Sequence, residues 1–284
     1  MSSQEGFNEC FNRLPVFSPL LKRVLEVLAD EHSNTAQLAE VIKYDPLLVA
    51  RLLRLANSVY LGVPNSVSTV NHAVALLGRS RIRSAVVISG LLGQQHHPLL
   101  LPYKLADFWR HSVAVALIAQ SLGRHLKRYC VVAPDELFCA GLMHDIGRLV
   151  LGLCDPQRLS AALASASHND LTLHAAETPE VNHQQAGALL AQSWGFAPPL
   201  VAALGNHHDP THSDPSCSHS VWVVHGADFM AHSLGFQTIA DEVPPQLNPQ
   251  AVENIGLPLE RLKVIAAEML ADRDGFESLY TGLL

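Results

Sequence analysis

The stretch Cys139–Gly152, "CAGLMHDIGRLVLG", sets His144 and Asp145 side by side among apolar and small residues. An unpaired imidazole and carboxylate in such surroundings would cost on the order of several kcal/mol. The pair therefore demands a partner, either a hydrogen-bond network or a metal ion. Apolar residues recur through the stretch at helical intervals, which predicts one buried helix over Asp135–Leu153.

Working outward, helix signals dominate. "SNTAQLAEVIKYD" places Asn34 three residues before Gln37, a capping-box start. "DPLLVARLLRLANS" opens on Asp45 as N-cap with Pro46 at the first helical position, and Leu48, Leu52 and Leu55 then recur on one face. "STVNHAVALLG" runs from a serine cap at Ser68 to a glycine stop at Gly78, and "SRIRSAVVISGLLG" follows as another buried helix. Further helices are predicted over Phe108–Leu126, His183–Trp194, Pro198–His207 and Ser220–Leu234, with "LERLKVIAAEMLADRD" near the C-terminus. No clear alternating β-branched run is bounded by hairpin turns, so the fold class is all-α. "GQQHHPLLLPYK", with two prolines and no periodicity, reads as the join between two helical lobes, "YCVVAP" as a connection and "TIADEVPPQLNPQ" as a loop.

The 284 residues suffice for one large domain or two modest ones, and 48% hydrophobic with 16% charged residues is a globular composition. A net charge of −7 argues against a whole-protein grip on nucleic acid, and Arg51 and Arg54 are too few to turn the Asp45 helix into a DNA reader. The five cysteines are odd in number and form no Cys-x-x-Cys pair, so neither a disulfide framework nor a thiolate zinc knuckle is expected and a reducing compartment fits. "MSSQEGFNEC" lacks the basic and apolar regions of a secretory signal, and stretches such as "SAVVISGLLG" are too short to span a bilayer. A soluble cytoplasmic protein is the expectation.

The unusual count is 16 histidines. His111 precedes Ala114, Val115, Ile118 and Leu122 on one helical face, so it points inward. His183 stands in the same relation to Ala186, Gly187, Leu190 and Trp194. "NHHDP" places His207 and His208 at a helix end, and "VHGADFMAH" carries Asp228 in an apolar helix with His225 and His232 on neighbouring turns. One such residue would be an ordinary core histidine bonded to a carbonyl. Five segments that each aim an imidazole or carboxylate inward favour a metal, because buried charges are paired or coordinate metals. Neutral imidazole with ionised carboxylate suits iron, manganese or zinc. Such a site supports metal-assisted phosphoester hydrolysis, in which Asp145 bridges ions or orients water and Arg148 holds phosphate.

At these residues the chain resembles a known family. "AGLMHDIGRLVL" is similar to the His-Asp motif of the HD superfamily of metal-dependent phosphohydrolases. "LPVFSPLLKRVLEVL", "LAEVIKYDPLLVARLLRLANSVYLG", "VSTVNHAVALLGRSRIRSAVV", "FWRHSVAVALIAQSLG", "HQQAGALLAQSWGF" and "ALGNHHDP" extend the resemblance to the HDOD family, the HD-related output domains of bacterial signalling proteins. The resemblance implies two helical lobes, the second an HD-type bundle, and a role in signalling, often with no demonstrated catalysis. Its organisation would be a tail over 1–13, an HDOD domain over 14–240 with lobes 14–100 and 101–240, and a helical extension over 241–284. The superfamily pattern maps onto His111, His144, Asp145 and Asp228, and the additions of the HD-GYP cyclic di-GMP phosphodiesterases map onto His183, His207 and His208. The chain departs from HD-GYP enzymes in lacking Gly-Tyr-Pro after "HHDP" and in carrying Arg148 where they have lysine, and arginine's planar fork meets phosphate differently.

The expectation is thus an HDOD-type regulatory protein holding one or two divalent ions through His111, His144, Asp145, His183, His207, His208 and Asp228. By resemblance to the HD-GYP site the ion is iron first, manganese or zinc next. Its partner is a signalling protein or a small phosphorylated ligand or nucleotide. The alternative is a working metal phosphohydrolase with Asp145 and Arg148 as catalytic residues. Arg79, Arg81 and Arg83 are either a partner surface or a solvated helix face.

Overall fold

The computed structural model describes residues 9–11, 19–64, 66–92, 101–126, 132–178, 181–239 and 243–283. Most of the tail, the first part of the join at 93–100 and the first half of "YCVVAP" lie outside the described residues. Among those described there is no strand, only an isolated bridge between Thr178 and Val181. The chain divides into two compact units, one of residues 13–97 and 272–284, the other of 1–12 and 98–271.

The first unit holds α1 (Pro19–Ala29), α2 (Thr35–Ile42), α3 (Pro46–Ala56), a 3-10 turn (Val59–Leu61) and α4 (Val70–Leu92), with a final helix, Arg273–Leu283. The caps form as their residue types require. Asn34 Oδ1 accepts the Gln37 N–H at 2.9 Å while Gln37 Oε1 accepts that of Asn34, also at 2.9 Å. Asp45 Oδ1 accepts from Leu47 and Leu48 at the start of α3, and Leu48, Leu52 and Leu55 are buried. Gly78 interrupts α4 with φ 73° and ψ 166°, where the sequence predicts a stop. The arginines just after it have a structural task. Arg79 donates to the carbonyls of Val27, Leu28, Asp30 and Ser33, and Arg83 donates to Leu28. These carbonyls close the C-terminal end of α1, where acceptors lack intrahelical partners and the dipole favours a cation. Arg81 is 8% exposed. The trio is therefore neither a docking surface nor a solvated face. Arg51 likewise turns to Ser89 Oγ. The Arg273–Leu283 helix packs on α3 and the 3-10 turn, and Val59 N–H donates to Ser278 Oγ at 2.9 Å.

The second unit continues with α5 (Leu105–His125), α6 (Pro134–Met143), α7 (Ile146–Cys154), α8 (Pro156–Asn169), α9 (Leu173–Ala176), α10 (His183–Ser193), α11 (Pro198–Asn206), α12 (Ser218–Ser233), α13 (Ala251–Ile255) and α14 (Leu259–Ala271). Helix α5 packs on α6 and α12, while α10 packs on α7 and α11. Helices α5 and α12 are buried on nearly every face, as expected of helices apolar all round.

Two expectations need correction. The single helix over Asp135–Leu153 is broken at His144–Asp145, where Asp145 adopts φ −96° and ψ 8°. The break lets the two halves meet different neighbours through glycines. A Cβ on Gly141 would lie 2.9 Å from Ala116 Cα of α5, and one on Gly147 would lie 1.8 Å from the His183 carbonyl oxygen of α10. Pro134–Cys154 is long and apolar enough to cross a membrane by composition, yet 89% of its 18-residue apolar window is buried inside the protein, where it serves as core. The second correction is a disulfide between Cys10 and Cys154, with Cα atoms 5.4 Å apart. An odd cysteine count carries no information about a pair 144 residues apart.

Candidate metal centre

All seven residues singled out in the sequence converge in the second unit. His111 comes from α5, His144 and Asp145 from the break between α6 and α7, and His183 from the first position of α10. His207 and His208 follow α11, and Asp228 comes from α12. His111, His144, Asp145, His183, His207 and Asp228 are at most 1% exposed.

Each buried ring is oriented through its outer nitrogen. Nδ1 of His111 donates to the Phe236 carbonyl at 2.8 Å and Nδ1 of His144 to that of Gly141 at 2.8 Å. Nδ1 of His207 donates to Leu204 at 3.0 Å, and Nδ1 of His183 meets Glu177 Oε2 at 2.6 Å. A carbonyl can only accept, so these rings carry their proton on Nδ1 and turn the Nε2 lone pair inward. Ligand histidines are held by such outer partners, which fix tautomer and orientation. Glu177 also accepts the His183 backbone N–H at 3.1 Å. His208 is held through its own N–H, donated to Gln184 Oε1 at 2.8 Å.

The inward atoms surround two carboxylates. Asp145 Oδ1 lies 3.4 Å from His183 Nε2 and 3.6 Å from His207 Nε2. Asp145 Oδ2 lies 3.5 Å from His144 Nε2 and 2.8 Å from Arg148 Nε. Asp228 Oδ1 lies 3.2 Å from His111 Nε2, 3.5 Å from His232 Nε2 and 3.8 Å from His144 Nε2, and Oδ2 faces His208 Nδ1 at 3.9 Å. Most of these separations are long for hydrogen bonds. They suit atoms sharing one ion, since bonds of about 2.0–2.2 Å put neighbouring ligands roughly 3.0–3.5 Å apart. Ligand atoms of Asp145, His183, His207 and His208 lie within 4.8 Å of one another, and so do those of His111, His144 and Asp145 and those of His111, Asp228 and His232. The cluster can therefore hold a metal.

Electrostatics prepare the same ligand forms. Burial pushes His144 down to about 3, which keeps it neutral. Burial and the His207 ring hold His208 well below the usual imidazole range. Burial works to raise Asp145, but the Arg148 guanidinium and neighbouring imidazoles outweigh it and hold the carboxyl well below its ordinary range. At Asp228 burial is likewise outweighed, by the adjacent His111 ring, which donates from Nε2 to the carboxylate once it carries a second proton. His111 and His144 present their Nε2 atoms to each other at 3.2 Å. Both rings spend their Nδ1 protons on carbonyls, so the contact requires a cation: a shared metal, or a second proton on His111, whose pKa is raised against burial by Asp228.

Arg148, expected to hold phosphate, is 2% exposed and paired with Asp145. His225, also noted in the sequence, is a brace: its Nδ1 donates to the His207 carbonyl at 2.7 Å and its Nε2 accepts the Asn248 N–H at 2.9 Å. Sequence reasoning missed Glu177 and His174. His174 stacks on His208 with ring centres 5.1 Å apart. It lines, with Thr172, His208, His225 and Gln246, a cavity of about 330 Å³ that opens to solvent. Glu177 could have been suspected as an acidic residue just before the Asn182 cap of α10, but no periodicity marks it.

The HDOD domain family model matches residues 14–210. A protein of Shewanella amazonensis SB2B, whose crystal structure is described as that of a "Putative phosphohydrolase", is 28% identical, with TM-score 0.75 and 98% of each chain covered. An HDOD domain protein of unknown function from Geobacter sulfurreducens shares the fold at 22% identity, with TM-score 0.74, 99% of this chain and 98% of that one. An uncharacterized protein of Treponema pallidum (strain Nichols) is 23% identical over 243 residues, 83% of this chain and 46% of that protein. The chain thus spans about half the length of that curated relative.

Proposed function

Because the chain belongs to the HDOD domain family, we propose that it is a regulatory signalling protein whose HD core is a metal centre. The observation that carries this is the set of inward lone pairs: His111, His144, His183 and His207 are locked by their outer nitrogens and face two ionised carboxylates. Iron is the first candidate, then manganese or zinc, as one or two ions. The partner is a signalling protein or a small phosphorylated ligand, and a cytoplasmic setting belongs to the same proposal. Elemental mass spectrometry of the purified protein beside Asp145→Asn tests it. One or two equivalents of metal, lost in the variant, is the expected result; no metal in either protein after anaerobic loading overturns it.

A second reading, metal-dependent phosphoester hydrolysis, is favoured by the cavity that reaches His208. A bound divalent ion supplies a nucleophile at neutral pH and polarises a phosphoryl oxygen. The chain's own residues divide the remaining tasks. Asp145 holds its charge through Arg148, which positions the carboxylate rather than meeting substrate. Glu177 fixes the His183 ring. His174 and His208 form the polar wall that an entering phosphoester meets. Release of nitrophenol from bis(p-nitrophenyl) phosphate by the metal-loaded protein, abolished in Asp145→Asn, is the expected result for this reading.

A further inference from the structure

Of the three overlapping ligand sets of the centre, two share no residue and differ in access. Asp145, His183, His207 and His208 form one set. It reaches the solvent-open cavity through His208, the one member that lines the wall. His111, Asp228 and His232 form the other. Their exposures are 0%, 1% and 5%, and none of them lines that cavity. His232 lies one helical turn beyond Asp228 on α12. This i, i+4 spacing puts both side chains on one face, with His232 Nε2 3.5 Å from Asp228 Oδ1 and its ring 4.8 Å from that of His111. Asp228 belongs to both neighbourhoods, since Oδ1 faces His111 and His232 while Oδ2 faces His208. His144 lies between the sets, 3.5 Å from Asp145 Oδ2 and 3.8 Å from Asp228 Oδ1.

We propose that His232 is an eighth ligand and that it divides the centre into two unlike ion positions: an enclosed one at His111, Asp228 and His232, and an accessible one at Asp145, His183, His207 and His208. An ion shut away from solvent exchanges neither water nor substrate, whereas one that borders a solvent-open cavity can take either, because the shell around a site controls access to it. The enclosed ion is accordingly a structural element of the bundle, and the accessible one is the ion that an incoming ligand meets. This inference rests on the metal reading above and goes beyond it by assigning His232 and by separating the roles of the two ions.

The test follows metal release rather than activity. Protein loaded anaerobically with iron(II) is passed into EDTA, and the retained metal is measured over time by elemental mass spectrometry. The wild type is expected to hold two equivalents, one leaving at least tenfold more slowly than the other. His232→Gln should hold one equivalent and lose the slow phase, and His208→Gln should lose the fast phase and keep the slow one. His232→Asn serves beside His232→Gln, and circular dichroism shows that each variant is folded. Two equivalents and both phases retained in the His232 variants overturn the inference while leaving the metal reading intact. A single release phase, or a single equivalent, in the wild type overturns it as well. No metal in the wild type defeats the metal reading itself and this inference with it.

Discussion

Glu177 touches no candidate ion ligand except His183, yet it grips that residue twice, at ring and backbone. Replacing it by glutamine keeps the shape and removes the charge that favours a strongly donating imidazole. Outer partners of this kind typically change metal affinity by about 10–100-fold. Glu177→Gln should therefore weaken metal binding by roughly that factor in a competition titration, with little change in the circular dichroism spectrum. Unchanged affinity would make Glu177 a packing residue. At this scale the sequence was informative where apolar stripes flagged an inward polar group, as at His111, His183 and Asp228. It was uninformative where the group sits outside a periodic element. Glu177 lies on a non-helical stretch just after α9, and nothing local distinguishes it from a surface acid. Arg148 shows the converse: its place in the motif suggested a phosphate, but proximity to Asp145 on the same turn decides its partner.

Among the elements, the break between α6 and α7 aims the His-Asp pair. It depends on Gly147, where any side chain meets the His183 carbonyl. Gly147→Ala should push α7 and α10 apart, at a cost of about 3 kcal/mol or more because backbone, not a flexible side chain, is in the way. The same change at Gly205 of α11 meets only ordinary contact with Ala188. It should be neutral or mildly stabilising, by up to about 1 kcal/mol, because alanine is the better helix former. Paired urea denaturation curves check both. Helix starts were legible because caps are local chemistry, as at Asn34 and Asp45. The break at Asp145 was not, because an unbroken apolar run looks the same whether it packs on one neighbour or on two. The short α9 also escaped for want of length, and the Arg273–Leu283 helix was passed over although Phe276, Leu279, Tyr280 and Leu283 form an apolar stripe at i, i+3, i+4 and i+7.

Across the whole molecule the buried ionisable groups make stability depend on pH in opposite directions. Burial holds His144 at about 3 in the folded protein, so as pH falls below 6.5 the unfolded chain takes up a proton that the folded one refuses. Asp145 and Asp228 add a further loss as pH falls through their depressed values. His111 and His183 are raised, against burial, by Asp228 and Glu177 respectively. Their contribution is complete below 6.5 and is lost as pH rises through the raised values. Metal-free protein should therefore be most stable near pH 6.5, and metal, which needs both rings neutral, should move the optimum upward. Urea midpoints across pH, with and without metal, measure this. The two units are also separable by experiment. Deleting residues 272–284 removes the helix that covers α3 and should speed amide exchange over 46–61 while metal content is unchanged. That the first unit is completed by a distant segment was not legible, because periodicity reports a buried face and not what buries it. The interleaving has a consequence for the order of biosynthesis. Every candidate ligand has been made by residue 232, whereas the covering helix follows α3 by more than two hundred residues. At about 5–20 residues per second, α3 leaves the ribosome roughly 10–40 s before its cover. The unit encoded largely later can thus finish folding first, and the nascent first unit must be kept from aggregating while it waits.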